Sequence, residues 1–283
     1  MLARTAVKWP FPRVVVHRGG GNLAPENTLF AIRTTQSHSI AAVEFDVMLS
    51  SDKIPMLMHD DELTRTVIDP ALAGVMFSSL TAKELSVVDV GSYFKPTLSD
   101  CLIPTFEEVL KHCLANKVFM NIEIKPTPGF EMRTGIVVGE LVMEYADRLK
   151  QAGVTPLFSS FSFEALKAAK EVAPAIPRGF LIHEPLGEVP NWQARVRELG
   201  AVSVNTNAEH LTYAQVQEIS DLGCATFCYT VNDLAKADEL LSWGVSCLCT
   251  DNTVGFRDLA FELAGKSQVG VFKKPAQLQQ LEQ

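Results

Sequence analysis

Val118-Phe119-Met120-Asn121-Ile122-Glu123-Ile124-Lys125 is a short apolar run that ends in an acid and a base. In an extended strand, residues two apart share a face, so Glu123 and Lys125 point one way while Ile122 and Ile124 point the other. The run Ala42–Val47 repeats the design: Glu44 and Asp46 share one face, Val43, Phe45 and Val47 the opposite one. Near-continuous apolar runs belong to strands of a parallel sheet covered by helices. In a barrel, the phase that carries the acids points inward near the mouth.

Working outward, six further runs have the same character: Arg13–His17, Thr155–Ser159, Arg178–Ile182, Val202–Asn205, Ala225–Val231 and Val245–Cys249. Helical patterns lie between runs, at Asn27–Ser37, Thr105–Asn116, Phe163–Val172, Leu211–Leu222 and Leu234–Trp243. Thr105 with Glu108 reads as a capping box, and Gly223 and Gly244 suit helix C-termini. Eight strands separated by helices predict a (β/α)₈ TIM barrel, an α/β fold of typically ~250 residues. A doubly wound open sheet is the rival architecture. Residues 60–104, with turns at Asp69-Pro70, Lys95-Pro96 and Ile103-Pro104, read as a small inserted subdomain. The expected organisation is therefore a barrel over 13–265, an insertion at about 60–104, and a polar, Gln-rich C-terminal tail over 266–283.

Composition narrows the function classes. The 283 residues are 47% hydrophobic and 20% charged, with a formal charge of −8, which excludes wholesale disorder and argues against a nucleic-acid surface. No apolar run approaches the ~20 residues of a membrane span, so stable membrane insertion is not expected. No secretory signal is visible, so a cytoplasmic location is expected. The six cysteines are expected to be free thiols. A zinc site from Cys224, Cys228, Cys247 and Cys249 is a weaker reading, because the spacing matches no finger or ribbon.

The polar residues gather at strand ends. Glu44, Asp46 and Glu123 would repel one another inside a barrel unless protonated, paired with Arg or Lys, or bound to a cation. Glu44 and Asp46 alone leave metal and salt bridge evenly balanced; Glu123 and two nearby histidines favour one divalent cation, Mg²⁺, Ca²⁺ or Mn²⁺. His17 and His59 are the proton-transfer candidates, whereas His38, His112, His183 and His210 are expected to be structural. Arg18 and Lys125 can hold a phosphate, and Gly19-Gly20-Gly21 could let backbone amides approach an anion. Together these describe metal-assisted phosphoester hydrolysis.

In this order, His17-Arg18-Gly19, Pro25-Glu26-Asn27-Thr28, Glu44-Phe45-Asp46, His59-Asp60, Glu123-Ile124-Lys125, Ser159-Ser160-Phe161, Tyr229-Thr230-Val231-Asn232 and Thr250-Asp251 resemble the glycerophosphodiester phosphodiesterase family, bacterial cytoplasmic type. The resemblance spans about residues 13–262. It implies hydrolysis of small glycerophosphodiesters to glycerol 3-phosphate and an alcohol. It also implies Glu44, Asp46 and Glu123 as metal ligands and His17 and His59 as general base and acid. Arg18 and Lys125 would be on the phosphate, with Glu26 and Asn27 beside the site and Tyr229 at the substrate. The substrate's own glycerol hydroxyl would attack phosphorus, and water would open the cyclic phosphate. Two departures are visible: Tyr229 stands where the family often has Trp, and Asn252-Thr253 replaces the usual Arg-Pro. The alternatives are a sphingomyelinase D-like phospholipase on the same barrel and a catalytically inactive ligand-binding barrel.

Overall fold

The computed structural model describes residue 7 and residues 9–264; the expected tail at 266–283 lies outside them. Nine strands form one sheet: β1 (Val14–Val16), β2 (Ala42–Leu49), β3 (Pro55–Leu57), β4 (Phe119–Ile124), β5 (Leu157–Ser160), β6 (Arg178–Ile182), β7 (Ser203–Asn207), β8 (Ala225–Tyr229) and β9 (Cys247–Thr250). All pair in parallel except β3, which runs back along β2. β1 pairs with both β9 and β2, so eight parallel strands close into a barrel and the open-sheet alternative falls.

Ten helices accompany the strands: α1 (Leu29–Ser37), α2 (Ala82–Leu85), α3 (Phe106–Ala115), α4 (Glu131–Glu144), α5 (Ala146–Ala152), α6 (Phe163–Val172), α7 (Trp192–Leu199), α8 (Tyr213–Asp221), α9 (Leu234–Trp243) and α10 (Thr253–Ala264). The Thr105–Glu108 capping box opens α3, and Gly244 ends α9 in the left-handed conformation. α1 begins two residues later than its spacing suggests. Asn27 has φ +56°, outside the helical region, and Thr28 takes over as cap by accepting from the Ala31 amide.

Val43, Phe45, Val47, Ile122 and Ile124 all pack in the main apolar core with the helices. The opposite phase is thereby left for Glu44, Asp46 and Glu123. Trp9 and Phe11 close the N-terminal end of the barrel against Phe227 and Phe119. Between β3 and α3, Leu63, Val67, Phe77 and Leu85 form a second apolar cluster together with Met48 and Met56.

α4, which carries Gly135 and Gly139, lay outside the stretches that spacing picked out. These glycines serve close packing: a Cβ on Gly135 would lie 2.1 Å from the Ala165 carbonyl oxygen in α6. Gly135→Ala should therefore push two helices apart. Overpacking of this kind destabilises by about 2 kcal/mol, or about 6 °C in Tm for a domain this size. Thermal unfolding within 1 °C of the unsubstituted protein would contradict this packing.

Candidate active site

His17, Arg18, His59, Glu123, Tyr229 and Asp251 sit at or near a C-terminal strand end, the face on which barrel loops build active sites. His17 and Arg18 follow β1, Glu44 and Asp46 lie on β2, and Glu123 lies on β4 directly opposite Asp46 in register. His59 follows β3, Tyr229 ends β8, and Asp251 follows β9. All but Asp251 line a cavity of ≈ 270 Å³ whose polar side is formed by His17, Arg18, Glu44, Asp46, His59 and Glu123. Phe161, Leu181, Phe227 and Tyr229 form an apolar wall. A larger groove of ≈ 730 Å³ lies at the opposite, N-terminal face. Among the described residues it is lined mainly by Pro and apolar side chains, with Lys117 the sole charged one, and none of them is a histidine or a carboxylate.

Glu44, Asp46 and Glu123 are buried, with carboxylate oxygens within 4.8 Å of one another, and are the one such group of ligand residues among the described residues. Burial and the neighbouring Asp46 charge raise the Glu44 pKa to about 7. Burial, with Asp46 and Glu44 beside it, pushes Glu123 well above the usual carboxylate range. Asp46 stays below its usual value in spite of burial. Lys125, His59 and Arg18 attract its charge, and Asn27 Nδ2 donates to it at 2.9 Å. The donor set fits a hard divalent cation. Asn121, paired with Glu44 across the two strands, lines the same cavity, and its Oδ1 is buried without a hydrogen-bond partner.

Each histidine has an aspartate at Nδ1. Asp251 Oδ1 lies 2.8 Å from His17 Nδ1, and Asp60 Oδ1 lies 2.6 Å from His59 Nδ1. Nε2 of each ring therefore remains for a substrate. The His17 Nε2 is 3.9 Å from Glu44. Burial disfavours the charged ring of His17, but the Asp251 hydrogen bond and the Glu44 and Asp251 charges outweigh it and raise the pKa. For His59, burial wins over Asp46 and Asp60, helped by Lys125 and Arg18, and the pKa falls.

Arg18 has φ +48°, a strained conformation for a non-glycine residue, held by its N–H donating to Glu44 Oε2 and its carbonyl accepting from Asn27. Its Nη1 donates to Glu26, while its Nε, buried without a hydrogen-bond partner, lies 3.9 Å from Asp46 Oδ2. Lys125 Nζ lies 3.6 Å from Asp46. Tyr229 reaches the cavity, and its hydroxyl donates to the Ile182 carbonyl.

Glu26, Asn27 and Lys125 lie beside the cavity and hold residues that line it: Glu26 binds Arg18 and Arg65, and Asn27 and Lys125 hold Asp46. His183, expected to be structural, lines the cavity. The three glycines do not line it. Gly21 instead lets the loop pack on Asp251, whose carbonyl oxygen a Cβ would approach to 2.3 Å. Reading the sequence assigned no role to Asp251, 234 residues from His17. Only barrel closure, which pairs Val16 with Thr250, brings the two together. For Asp60, adjacency to His59 was a usable signal. All six cysteines are buried free thiols. Among the described residues, no helix is long and apolar enough to cross a membrane.

The sequence profile of the glycerophosphoryl diester phosphodiesterase family matches residues 17–254. YhdW of Bacillus subtilis (strain 168) is 28% identical over 241 residues, 84% of this chain and 93% of its own. The glycerophosphodiester phosphodiesterase of Caldanaerobacter subterraneus subsp. tengcongensis is 26% identical over 243 residues, 84% of this chain and 93% of its own. A solved phosphodiesterase from Oleispira antarctica, in complex with the product sn-glycerol-3-phosphate, is 30% identical with a TM-score of 0.77. That match covers 89% of this chain and 97% of the other.

The crowded carboxylates have a measurable consequence for stability. Glu44 titrates near 4.5 when unfolded and about 7 when folded, so the fold favours its neutral form. Its share of stability is intact below pH 4.5, falls as pH rises toward 7, and stays lost above. With divalent ions chelated, Glu44→Gln should thus be more stable than the unsubstituted protein by ~2 kcal/mol at pH 8 and equal to it at pH 4.5. Urea denaturation at both pH values checks this. A variant less stable at pH 8 would show that the carboxylate is not strained there.

Proposed function

Because the chain belongs to the glycerophosphoryl diester phosphodiesterase family, we propose that it hydrolyses glycerophosphodiesters to glycerol 3-phosphate and an alcohol. In this reading one divalent cation is held by Glu44, Asp46 and Glu123, and His17 and His59 transfer protons. The observation that carries the reading is the carboxylate trio, set in one cavity with two histidines that each have an aspartate at Nδ1. The Oleispira antarctica relative, solved with sn-glycerol-3-phosphate, supports the same product class.

A cation bound there would stabilise the charge that builds on the phosphoryl oxygens. Arg18 offers to a phosphate oxygen an Nε–H that makes no hydrogen bond, and Lys125 adds a second positive charge once a cation competes for Asp46. One histidine takes the proton from the attacking glycerol hydroxyl and the other gives one to the leaving oxygen. Asp251 and Asp60 hold the rings so that Nε2 faces the reaction. Attack by the substrate's own hydroxyl exploits proximity. We assign the acid to His59, the more exposed ring, because alcohols of differing size need open space. The excess proton affinity of His17 rests partly on Glu44, whose charge a cation would neutralise, freeing His17 to act as base.

Turnover of glycerophosphocholine should vanish on chelation with the fold retained, and return with Mg²⁺, Ca²⁺ or Mn²⁺. Full activity after rigorous chelation would end the metal-dependent reading, and preference for sphingomyelin over glycerophosphodiesters would end the substrate assignment.

The two histidines should separate by leaving group. General acid catalysis typically contributes ~10²–10⁴-fold, and a p-nitrophenolate needs little of it. His59→Ala should therefore lose turnover of glycerophosphocholine far more than turnover of the p-nitrophenyl ester of glycerol phosphate. His17→Ala should lose both. Equal losses on both substrates in both variants would remove leaving-group protonation from either ring.

A further inference from the structure

The inserted segment brings one cation, Arg65, back to the site. Residues on either side of it are pinned: Leu63 and Val67 are buried in the second apolar cluster, and Thr66 is buried beside them. The Arg65 guanidinium then spans two carboxylates at once. Its Nε donates to Asp60 Oδ2 at 2.7 Å, and Nη1 and Nη2 donate to the two oxygens of Glu26, each at 2.7 Å. Both carboxylates serve residues of the cavity wall with the same group. Asp60 holds His59 Nδ1 at 2.6 Å, and Glu26 accepts from Arg18 Nη1 at 3.0 and 3.2 Å. A second tie comes from further along the insertion, where the Glu26 amide donates to the Tyr93 hydroxyl at 3.2 Å.

We propose that Arg65 is a positioning residue that sets the geometry of His59 through Asp60 and of Arg18 through Glu26, so that the inserted segment 60–104 completes the active site. The inference rests on the phosphodiesterase reading given above.

The geometry explains why an arginine stands here. Only a planar fork can pair bidentately with one carboxylate and still offer a third donor to another; an ammonium is a point charge. Asp60 without Arg65 would have only the histidine to fix it, and the ring would gain rotational freedom. Glu26 without Arg65 would keep only the Arg18 guanidinium as a side-chain partner, and the pair could swing together. That swing would also misdirect the Arg18 Nε, the donor offered to the phosphate. Arg65 is about half exposed, so its loss should leave the core of the insertion intact.

The test is a set of steady-state measurements with glycerophosphocholine, saturated with divalent cation, on Arg65→Met, Arg65→Lys, His59→Ala and the double variant Arg65→Met/His59→Ala. Loss of an orienting partner of this kind typically costs 10–100-fold. Arg65→Met should lower kcat by about that factor and raise KM severalfold, with cation affinity by calorimetry unchanged. In the His59→Ala background the kcat cost should shrink to less than about threefold, because the ring to be oriented is gone, while the rise in KM through Arg18 persists. Arg65→Lys should stay within about threefold of Arg65→Met, and full recovery by lysine would overturn the two-carboxylate bridge. Kcat costs that multiply in the double variant, or a folded Arg65→Met with unchanged kcat and KM, would overturn the proposal. Unimpaired His59→Ala would instead defeat the two-histidine reading beneath it, so the two failures are distinguishable.

Discussion

Glu44, Asp46 and Glu123 hold three carboxylates within 4.8 Å of one another, all buried. In a low-dielectric interior this is the most expensive feature of the molecule, because each charge is both stripped of water and repelled by the others. The pKa values divide that strain unevenly. Asp46 keeps its charge through Lys125, His59, Arg18 and Asn27, while Glu44 and Glu123 are driven toward their neutral forms. Few structural purposes justify such a cluster when apolar residues would pack as well. A site that must offer oxygens to a cation does.

Much of the surrounding architecture can be understood as support for that cluster. The alternation on β2 and β4 places the acids inside the barrel and Val43, Phe45, Ile122 and Ile124 against the helices. The register that sets Asp46 beside Glu123 and Glu44 beside Asn121 brings the oxygens together. The left-handed Arg18 lets its amide donate to Glu44, so backbone strain at the end of β1 is offset by a hydrogen bond to a charge. Closure of β1 on β9 then delivers Asp251 to His17, and Arg65 reaches Asp60, which holds His59.

The fold was legible because burial on both faces leaves a plain signature: apolar runs at intervals, with helical spacing between. The acids, the histidines and Arg18 were legible because residues two apart on a strand share a face, and because ordered short motifs carry more information than any one of them. Roles that depend on tertiary closure were not. Nothing local links Asp251 to His17, or Arg65 to Glu26, across 234 and 39 residues. Nor could residue type alone separate Lys125 or Asn27 on the acids from either one facing the substrate. The need for Gly135 in α4 is likewise tertiary, since it is set by how closely α6 presses on it.

The central claim is that the carboxylate cluster is a cation site, and the most direct measurement is anomalous diffraction from crystals grown with Mn²⁺. The account predicts one strong anomalous peak bounded by the side chains of Glu44, Asp46 and Glu123. Mn²⁺-grown crystals that turn over glycerophosphocholine without a peak in that cluster would contradict it.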